Sequence, residues 1–202
     1  MISIAVQAGG ESRRMGQDKA LLPFLGESML ARVIKRVSTI GDELYVTTNH
    51  PERFLDFRVP MIRDELTGKG ALGGLLTALS AAQFSTVIVV ACDMPFVNPD
   101  ILVAASDQMR SKQADVVIPL TENGYEPLHA VYRRETCLPA VRAALESGER
   151  RLVSWFPSVN VIQISIDELI KYDPYGLAFW NVNTPEVLQQ AEDLAAELGD
   201  SI

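Results

Sequence analysis

ISIAVQAGGESRRMGQDK, residues 2–19, places an apolar run directly before a loop that is rich in glycine and cations. The run from Ile2 to Val6 has the length and composition of a buried strand. Glycines let backbone N–H groups approach phosphate oxygens, and Arg13, Arg14 and Lys19 can add charge-assisted hydrogen bonds to them. Because ligands of an open parallel sheet sit outside the carboxyl ends of its strands, this loop is predicted to hold a polyphosphate.

Two better-known phosphate loops do not fit this sequence. A dinucleotide fingerprint needs Gly-x-Gly-x-x-Gly, a spacing that differs from that of Gly9, Gly10 and Gly16. A P-loop needs Gly-x-x-x-x-Gly-Lys-Ser/Thr, but the pair Gly68-Lys69 has arginine at the first glycine position and glycine at the Ser/Thr position. The loop is therefore a phosphate site of another kind or, as the alternative, a solvated surface loop.

Short apolar runs alternate with helical patterns along the first half of the chain. This alternation predicts an α/β fold, in which a mostly parallel central sheet has helices on both of its faces. The strand-like runs are Ile2 to Val6, Leu44 to Thr48, Thr86 to Ala91 and Asp115 to Pro119. One helix is predicted from Met29 onward, and a second covers Ala71 to Ala82. A third begins at Asn98-Pro99-Asp100, where a capping side chain precedes a proline.

The second half of the chain has a looser pattern. Glu126 to Tyr132 alternates like a strand, a helix is predicted from Arg134 to Glu146, and Val161 to Ile164 is a further strand. Thr184-Pro185-Glu186 starts a last helix that runs to about Leu198. We expect a single domain, 1–202, with a nucleotide-binding half (1–120) and an acceptor-side half (121–202).

The composition of the chain limits which partners, cysteine-based sites and cellular location we expect. The formal net charge of -8 would repel polyanions, so nucleic acid is not expected as a partner. Cys92 and Cys137 lie far apart without a nearby Cys/His cluster, so neither a disulfide framework nor a zinc site is indicated. With no leader-like start and no apolar run of about eighteen residues, we expect a cytoplasmic protein that does not contact a membrane.

Several blocks of the chain resemble those of one enzyme family. The loop Ala8-Gly9-Gly10-x-Ser12-x-Arg14-Met15-Gly16-x-Asp18-Lys19 is similar to the signature of nucleotidyltransferases that move a nucleoside monophosphate onto a phosphorylated acceptor. Within that superfamily the chain most resembles molybdenum cofactor guanylyltransferases. The further blocks that carry this resemblance are Asp64 with 70–74, Cys92-Asp93-Met94-Pro95, 126–132, 148–151 and 179–185. The sequence departs from the family pattern at two positions, where Gln7 replaces leucine and Ala71 replaces proline.

The resemblance implies a Rossmann-like, three-layer α/β/α nucleotidyltransferase fold and a Mg²⁺-dependent reaction. The substrates would be GTP and molybdopterin, and the products molybdopterin guanine dinucleotide and pyrophosphate. Molybdoenzymes or other cofactor-biosynthesis proteins would be partners. Lys19, Arg14 and Asp93 would be catalytic. Lys19 and Asp93 would also bind the nucleotide. The other nucleotide-binding residues would be Gln7, Ala8, Gly9, Gly10, Asn49, Asp64 and Gly73.

Three of these assignments also have an argument from the residues themselves. Asp93 follows the most apolar strand, so its carboxylate would reach the ligand edge and suit Mg²⁺, although it could instead cap a turn. Asn181 and Asn183 would share one face of a short aromatic strand, and the resemblance implies that they contact phosphate or acceptor; alternatively, Asn183 could simply begin the last helix. Asn49 and Asp64 each follow a predicted strand and could read a base edge or a ribose hydroxyl, or be turn residues.

Two further readings of the whole chain stay open. The same chemistry could use CTP, or a sugar or polyol phosphate as acceptor. The chain could also be a nucleotide-binding module without catalysis, although binding alone does not require both Lys19 and a metal carboxylate at Asp93.

Overall fold

The computed structural model describes residues 1–9 and 18–199 of the chain and shows a central sheet between helices. The strands are β1 Ile2–Gln7, β2 Pro23–Phe24, β3 Glu27–Ser28, β4 Glu43–Thr48, β5 Met61–Arg63, β6 Thr86–Ala91, β7 Val116–Thr121, β8 Gly124–Tyr125, β9 His129–Arg133 and β10 Val161–Ile164. The α-helices are α1 Met29–Val37, α2 Gly70–Ala81, α3 Pro99–Lys112, α4 Arg134–Glu146, α5 Ile166–Leu169 and α6 Pro185–Leu198.

The central sheet has the strand order β10-β7-β9-β6-β1-β4-β5. The pairs of β1 with β4 and β6, of β4 with β5, and of β7 with β10 are parallel, whereas β9 is antiparallel to both of its neighbours. The predicted α/β fold with a mostly parallel sheet is confirmed. Since β9 runs in the opposite sense, its amino end meets the carboxyl ends of β6 and β7 at one edge of the sheet.

Both faces of the sheet are buried, which explains why its strands are apolar throughout. Successive side chains of β1 alternate between two core clusters: Ile4 and Val6 pack with α1 and α3, whereas Ala5 packs with α2 and α4. The helices therefore form one layer on each side of the sheet. This is the expected three-layer arrangement.

The predicted helix starts lie where their capping residues stand. Asn98 Oδ1 accepts hydrogen bonds from the N–H groups of Asp100 and Ile101, and Pro99 begins α3. Thr184 Oγ1 accepts from the N–H of Val187 at the start of α6. These caps fix the helix that follows β6 and the helix that follows Asn183, and both helices leave from the edge described above.

Two predictions for the second half were wrong in detail. The alternating stretch 126–132 is a strand only from His129, because Glu126 starts a tight turn in which the N–H of His129 bonds to its carbonyl oxygen at 3.0 Å. Residues 179–183 form no strand. Residue 179 belongs to a turn, and 180–183 are an irregular connection in which the N–H of Val182 bonds to the carbonyl oxygen of Asp93 at 2.9 Å.

A third, smaller apolar cluster joins the two ends of the described chain. Phe24 from the β2–β3 hairpin packs with Phe96, Val182 and the α6 residues Ala191 and Ala195. Sequence patterns did not predict this hairpin, whose strands are only two residues long. The cluster holds the segment before α6 against the residues that follow β6. Among the described helices none is long and apolar enough to span a bilayer.

Candidate active site

Backbone hydrogen bonds continue the sheet past its strand ends and set the positions of the candidate residues. The N–H of Ala8 bonds to the carbonyl of Thr47 at 2.8 Å, and the N–H of Cys92 bonds to that of Gln7 at 3.0 Å. The N–H of Asp64 bonds to the carbonyl of Thr48 at 3.0 Å. The residues that leave β1, β4, β5 and β6 are therefore in register at one edge, where ligands of such sheets bind.

Asn49 and Asp64 face Gly9 across this edge. A methyl group added to Gly9 would lie 3.3 Å from Oδ2 of Asp64 and 3.9 Å from Nδ2 of Asn49, so the glycine keeps the approach to both side chains open. Oδ1 of each residue is buried and has no hydrogen-bond partner within the described chain. Burial also raises the pKa of Asp64 above its usual value. Two buried acceptors thus point to a ligand that donates hydrogen bonds.

Gln7 adds a buried donor to this group. Its side chain is 6% exposed and its Nε2 has no partner in the described part of the chain. Gly74 in α2 makes the space for it, because a methyl group there would lie 2.9 Å from Oε1 of Gln7. Gly73 instead packs against Lys69, because a methyl group added to Gly73 would lie 2.7 Å from the Cβ of Lys69. We call Gln7, Gly9, Asn49 and Asp64 the nucleotide-side cluster.

Lys19, Asp93 and Asn183 form a second group at the same edge. Lys19 Nζ donates to Oδ1 of Asn183 at 2.5 Å and lies 3.7 Å from Oδ2 of Asp93. The side chains of Lys19 and Asp93 are each 21% exposed. Burial raises the pKa of Asp93, and the charge of Lys19 opposes this shift. We call these three residues the charged cluster.

Asp18 is a residue of this site that sequence reasoning did not select. It lines a cavity of about 120 Å³ together with Gln7, Lys19 and Asp93, and its Oδ1 caps the short helix 19–21 by accepting from the N–H of Ala20 at 3.2 Å. The signal was present, since Asp18 directly precedes Lys19 in the quoted signature. The cavity is smaller than the roughly 300 Å³ of a small-molecule site and suits a phosphate group.

Not every predicted site residue can be placed. Gly10 and Arg14 lie outside the described residues. Asn181 does not share the position of Asn183, because its Nδ2 donates to the carbonyl of Phe179 at 3.1 Å within its own turn. The expectation that a strand would present both amides on one face was wrong, since 179–183 is a turn followed by irregular chain, in which the alternation of a strand does not hold.

His129 and Cys92 are buried at this edge, and burial favours the uncharged form of both side chains near neutral pH. His129 is fully buried, its Nε2 accepts from the N–H of Asn98 at 3.2 Å, and desolvation lowers its pKa to about 4. Burial raises the pKa of Cys92 well above its usual value, and both cysteines are free. His129 is therefore a packed core histidine, and Cys92 is a buried thiol.

A metal site in the described chain would have to rest on few protein ligands. No group of three or more His, Cys, Asp or Glu residues capable of holding a metal ion occurs within 1–9 and 18–199. Mg²⁺ usually takes only one or two carboxylates and completes its shell with water and substrate phosphates. Asp93 fits this need, since in the described part of the chain its ion-pair partner, Lys19 Nζ, lies at 3.7 Å, which leaves the carboxylate room for another cation.

The fold places a sheet between two layers of helices, with polar side chains and a lysine at the carboxyl edge of the sheet. This is the architecture of a nucleotide-using enzyme. A family model described as the MobA-like NTP transferase domain matches residues 4–161. The chain belongs to this family, and it is a nucleotidyltransferase.

Similar proteins carry more specific names. A "Probable molybdenum cofactor guanylyltransferase" of Natranaerobius thermophilus is 35% identical over 196 residues, which cover 94% of each chain. A "Molybdenum cofactor guanylyltransferase" of Desulfosudis oleivorans is 32% identical, covering 93% of this chain and 92% of that one. Among solved structures, the molybdopterin-guanine dinucleotide biosynthesis protein A of Archaeoglobus fulgidus matches with a TM-score of 0.84 and 26% identity, over 96% of this chain and 99% of that one. The nucleotidyltransferase fold is thereby confirmed.

Proposed function

We propose that this protein transfers GMP from GTP to the terminal phosphate of molybdopterin, forming molybdopterin guanine dinucleotide and pyrophosphate. The observation that carries the proposal is the meeting of Lys19, Asp93 and Asn183 beside the nucleotide-side cluster at one sheet edge. The names of relatives that align over nearly the whole chain support guanylyl transfer to the molybdenum cofactor.

The nucleotide-side cluster supplies the binding groups for guanosine. The unpartnered oxygens of Asn49 and Asp64 are acceptors, and guanosine offers N–H groups on its base and hydroxyls on its ribose. The free Nε2 of Gln7 is a matching donor for an acceptor atom of the nucleotide. Binding of guanosine would give each of these buried atoms a partner.

The charged cluster supplies the groups for phosphoryl chemistry. An oxygen of the acceptor phosphate forms a bond to the α-phosphorus of GTP, and the bond from that phosphorus to the bridging oxygen breaks, so that pyrophosphate leaves with the electron pair. A phosphate monoester is already anionic near pH 7, so no strong protein base is needed. Lys19 orients the phosphates and neutralises the charge that grows on the leaving pyrophosphate, and Asn183 holds the Lys19 ammonium in place.

Mg²⁺ is part of this proposal, with Asp93 as the protein ligand that would hold it. The ion would neutralise phosphate charge when bound. Lys19, 3.7 Å from Oδ2 of Asp93, would then be a second cation near the same phosphates.

A nucleotide panel tests the proposal directly. Purified protein is given molybdopterin, Mg²⁺ and GTP, ATP, CTP or UTP, and the dinucleotide and pyrophosphate are quantified. We expect GTP to exceed CTP by at least about tenfold in kcat/KM, equivalent to about 1.4 kcal/mol in transition-state binding.

Each alternative has its own outcome in this panel. Mostly cytosine dinucleotide in direct competition would refute guanylyl transfer and leave nucleotidyl transfer standing. Pyrophosphate release with a sugar phosphate, but not with molybdopterin, would change the acceptor. Nucleotide binding without any Mg²⁺-dependent pyrophosphate release would make the chain a binding module.

We also propose that the two halves of the chain divide the substrates, with 1–120 serving the nucleotide and 121–202 the acceptor. Gln7, Asn49 and Asp64 come from the first half, whereas Asn183 comes from the second.

A cytoplasmic location fits two free, buried cysteines. Delivery of the product to molybdoenzymes would follow from the same proposal.

A further inference from the structure

A second cavity, of about 360 Å³, lies at the same edge of the sheet beside the end of β7. Glu126 lines it, and we call it the Glu126 cavity. Its volume falls in the range of small-molecule sites, roughly 300–1,000 Å³, unlike the 120 Å³ space beside Lys19 and Asp93. The nucleotide-side cluster does not reach it, so its occupant is a different molecule or a different part of the substrate pair.

The walls of the Glu126 cavity select for a flat, uncharged ring system. Phe179 and Trp180 line one part of it, and Ile166 and Ile170 add apolar surface. The charged residues among its described lining are all acidic: Glu122, Glu126 and Asp173. A phosphate group would be repelled here, whereas an aromatic heterocycle could stack on the ring side chains.

Glu126 is the carboxylate of this cavity that is both held in place and able to accept. Thr121 Oγ1 lies 3.2 Å from its Oε1, its N–H bonds to the carbonyl of Pro119 at 3.1 Å, and its carbonyl accepts from His129. Each carboxylate oxygen has two lone pairs, so acceptor capacity remains. Both oxygens of Asp173, by contrast, accept from the backbone N–H groups of Leu177 and Ala178.

The cavity adjoins the charged cluster through a short stretch of chain. Trp180 lines the cavity, and two residues later the N–H of Val182 bonds to the carbonyl of Asp93. Two residues of extended chain span at most about 7 Å. On the other side, Glu126 is two residues from Leu128, which lines the cavity of Lys19 and Asp93. One elongated ligand can therefore enter both spaces.

We propose that the Glu126 cavity binds the heterocyclic end of the acceptor, with the Glu126 carboxylate accepting from two adjacent N–H donors of an aminopyrimidinone ring. This inference rests on the proposed function, because a pterin carries such a ring at one end and, in molybdopterin, a phosphate at the other. Paired N–H groups match the two oxygens of a carboxylate, as they do in bidentate recognition by guanidinium. Glu126 is then a specificity-determining residue for the acceptor and makes no contact with the reacting atoms.

Binding of a free pterin that lacks any phosphate tests the cavity apart from turnover. The protein has two tryptophans, of which Trp155 is 4% exposed and Trp180 lines the cavity, so quenching of Trp180 fluorescence reports occupancy. We expect saturable quenching in the wild type, an at least about tenfold higher Kd in Glu126→Gln, and loss of the signal in Trp180→Phe. Glu122→Gln, which removes the same charge from the cavity rim, should stay within about twofold.

Turnover with GTP and molybdopterin gives the second readout. Glu126→Gln should raise the KM for molybdopterin at least about tenfold, equivalent to about 1.4 kcal/mol. The KM for GTP should remain at its wild-type value and the melting temperature should not fall, which a general loss of structure would not allow. Glu122→Gln is again the control.

The outcomes separate this inference from the proposed function. If the wild type makes the dinucleotide but Glu126→Gln keeps the wild-type acceptor KM and pterin Kd, the inference is overturned and the function stands. If Glu126-dependent pterin binding occurs without any dinucleotide, the function fails and the cavity assignment holds. Equal effects of Glu122→Gln and Glu126→Gln would reduce the result to general charge and overturn the assignment. So would the displacement of pterin by GTP alone, because the cavity would then hold guanine.

Discussion

The nucleotide-side cluster and the charged cluster share one sheet edge but treat their polar groups in opposite ways. Gln7 Nε2, Asn49 Oδ1 and Asp64 Oδ1 are buried without partners in the described chain, whereas Lys19 is partnered by Asn183 and lies near Asp93. An unpaired buried polar group costs roughly 1–3 kcal/mol. The first cluster therefore leaves polar groups unpaired and the second pairs its charges, which fits the proposed division between guanosine and phosphates.

The largest effect should come from the charged cluster. We expect Asp93→Asn to lower kcat at least about a hundredfold, because the amide keeps the shape of the side chain but loses the charge that would hold Mg²⁺. Steady-state kinetics over a Mg²⁺ titration measure this. Asp107→Asn, an exposed carboxylate of α3, is the matched control. Near-normal Mg²⁺-dependent activity in Asp93→Asn would remove the metal assignment.

Lys19→Ala should have the next largest effect, a loss of about ten- to a hundredfold in kcat with a smaller change in the Kd for GTP. The reason is that the ammonium acts mainly on charge that develops as pyrophosphate leaves. Asn183→Ala should show part of this loss, and the double variant should lose less than the sum because the two side chains are hydrogen-bonded. A loss confined to GTP binding would make Lys19 a ground-state contact only.

Asp64→Asn should separate binding from stability in the nucleotide-side cluster. We expect a roughly tenfold higher KM for GTP together with a melting temperature that rises by about 2–4 °C at pH 7, since about 1 kcal/mol of desolvation cost is removed. Burial raises the pKa of Asp64 in the folded protein, so its ionised form destabilises the fold above that pKa. The stability advantage of the variant should therefore shrink as the pH falls through that pKa. An advantage that does not depend on pH would contradict this account.

The smallest effect should come from Gly74→Ala, which tests whether the amide of Gln7 contributes to binding. The added methyl group would press on Oε1 of Gln7, the end of a flexible side chain, so the fold should tolerate it. We expect the KM for GTP to rise about two- to fivefold while kcat is unchanged, and Gln7→Leu to give the same result. Ala81→Ser, at the other end of α2, serves as control. Unchanged GTP kinetics in both test variants would remove Gln7 from the cluster.

The order and type of the main elements could be predicted because they depend on local signals. Apolar runs such as 86–91 mark strands that are buried on both faces, and the caps Asn98 and Thr184 mark helix starts. The two-residue strands of the β2–β3 hairpin carry no such periodicity and were missed. The strand expected at 179–183 was wrong for a different reason. The aromatic residues there pack into the third cluster and the Glu126 cavity instead of pairing with the sheet.

The site was predictable where it follows the strands and not where it depends on tertiary contacts. Asn49 and Asp64 come directly after strands and Asp93 two residues after one, so their meeting at one edge follows from parallel pairing. The contact between Lys19 and Asn183 spans 164 residues, and no local pattern could give it. The space that Gly74 leaves for Gln7 is likewise a contact between distant segments. The roles of these residues in catalysis remain predictions.

The hydrogen bonds that join residues 182 and 183 to Asp93 and Lys19 also set an order of assembly during synthesis. All described strands of the sheet are present once the chain has been made as far as β10, at residue 164. The connection that contacts Asp93 and Lys19 emerges later, together with α6. In a nascent chain the candidate edge is therefore completed only after all described strands of the sheet have been synthesised.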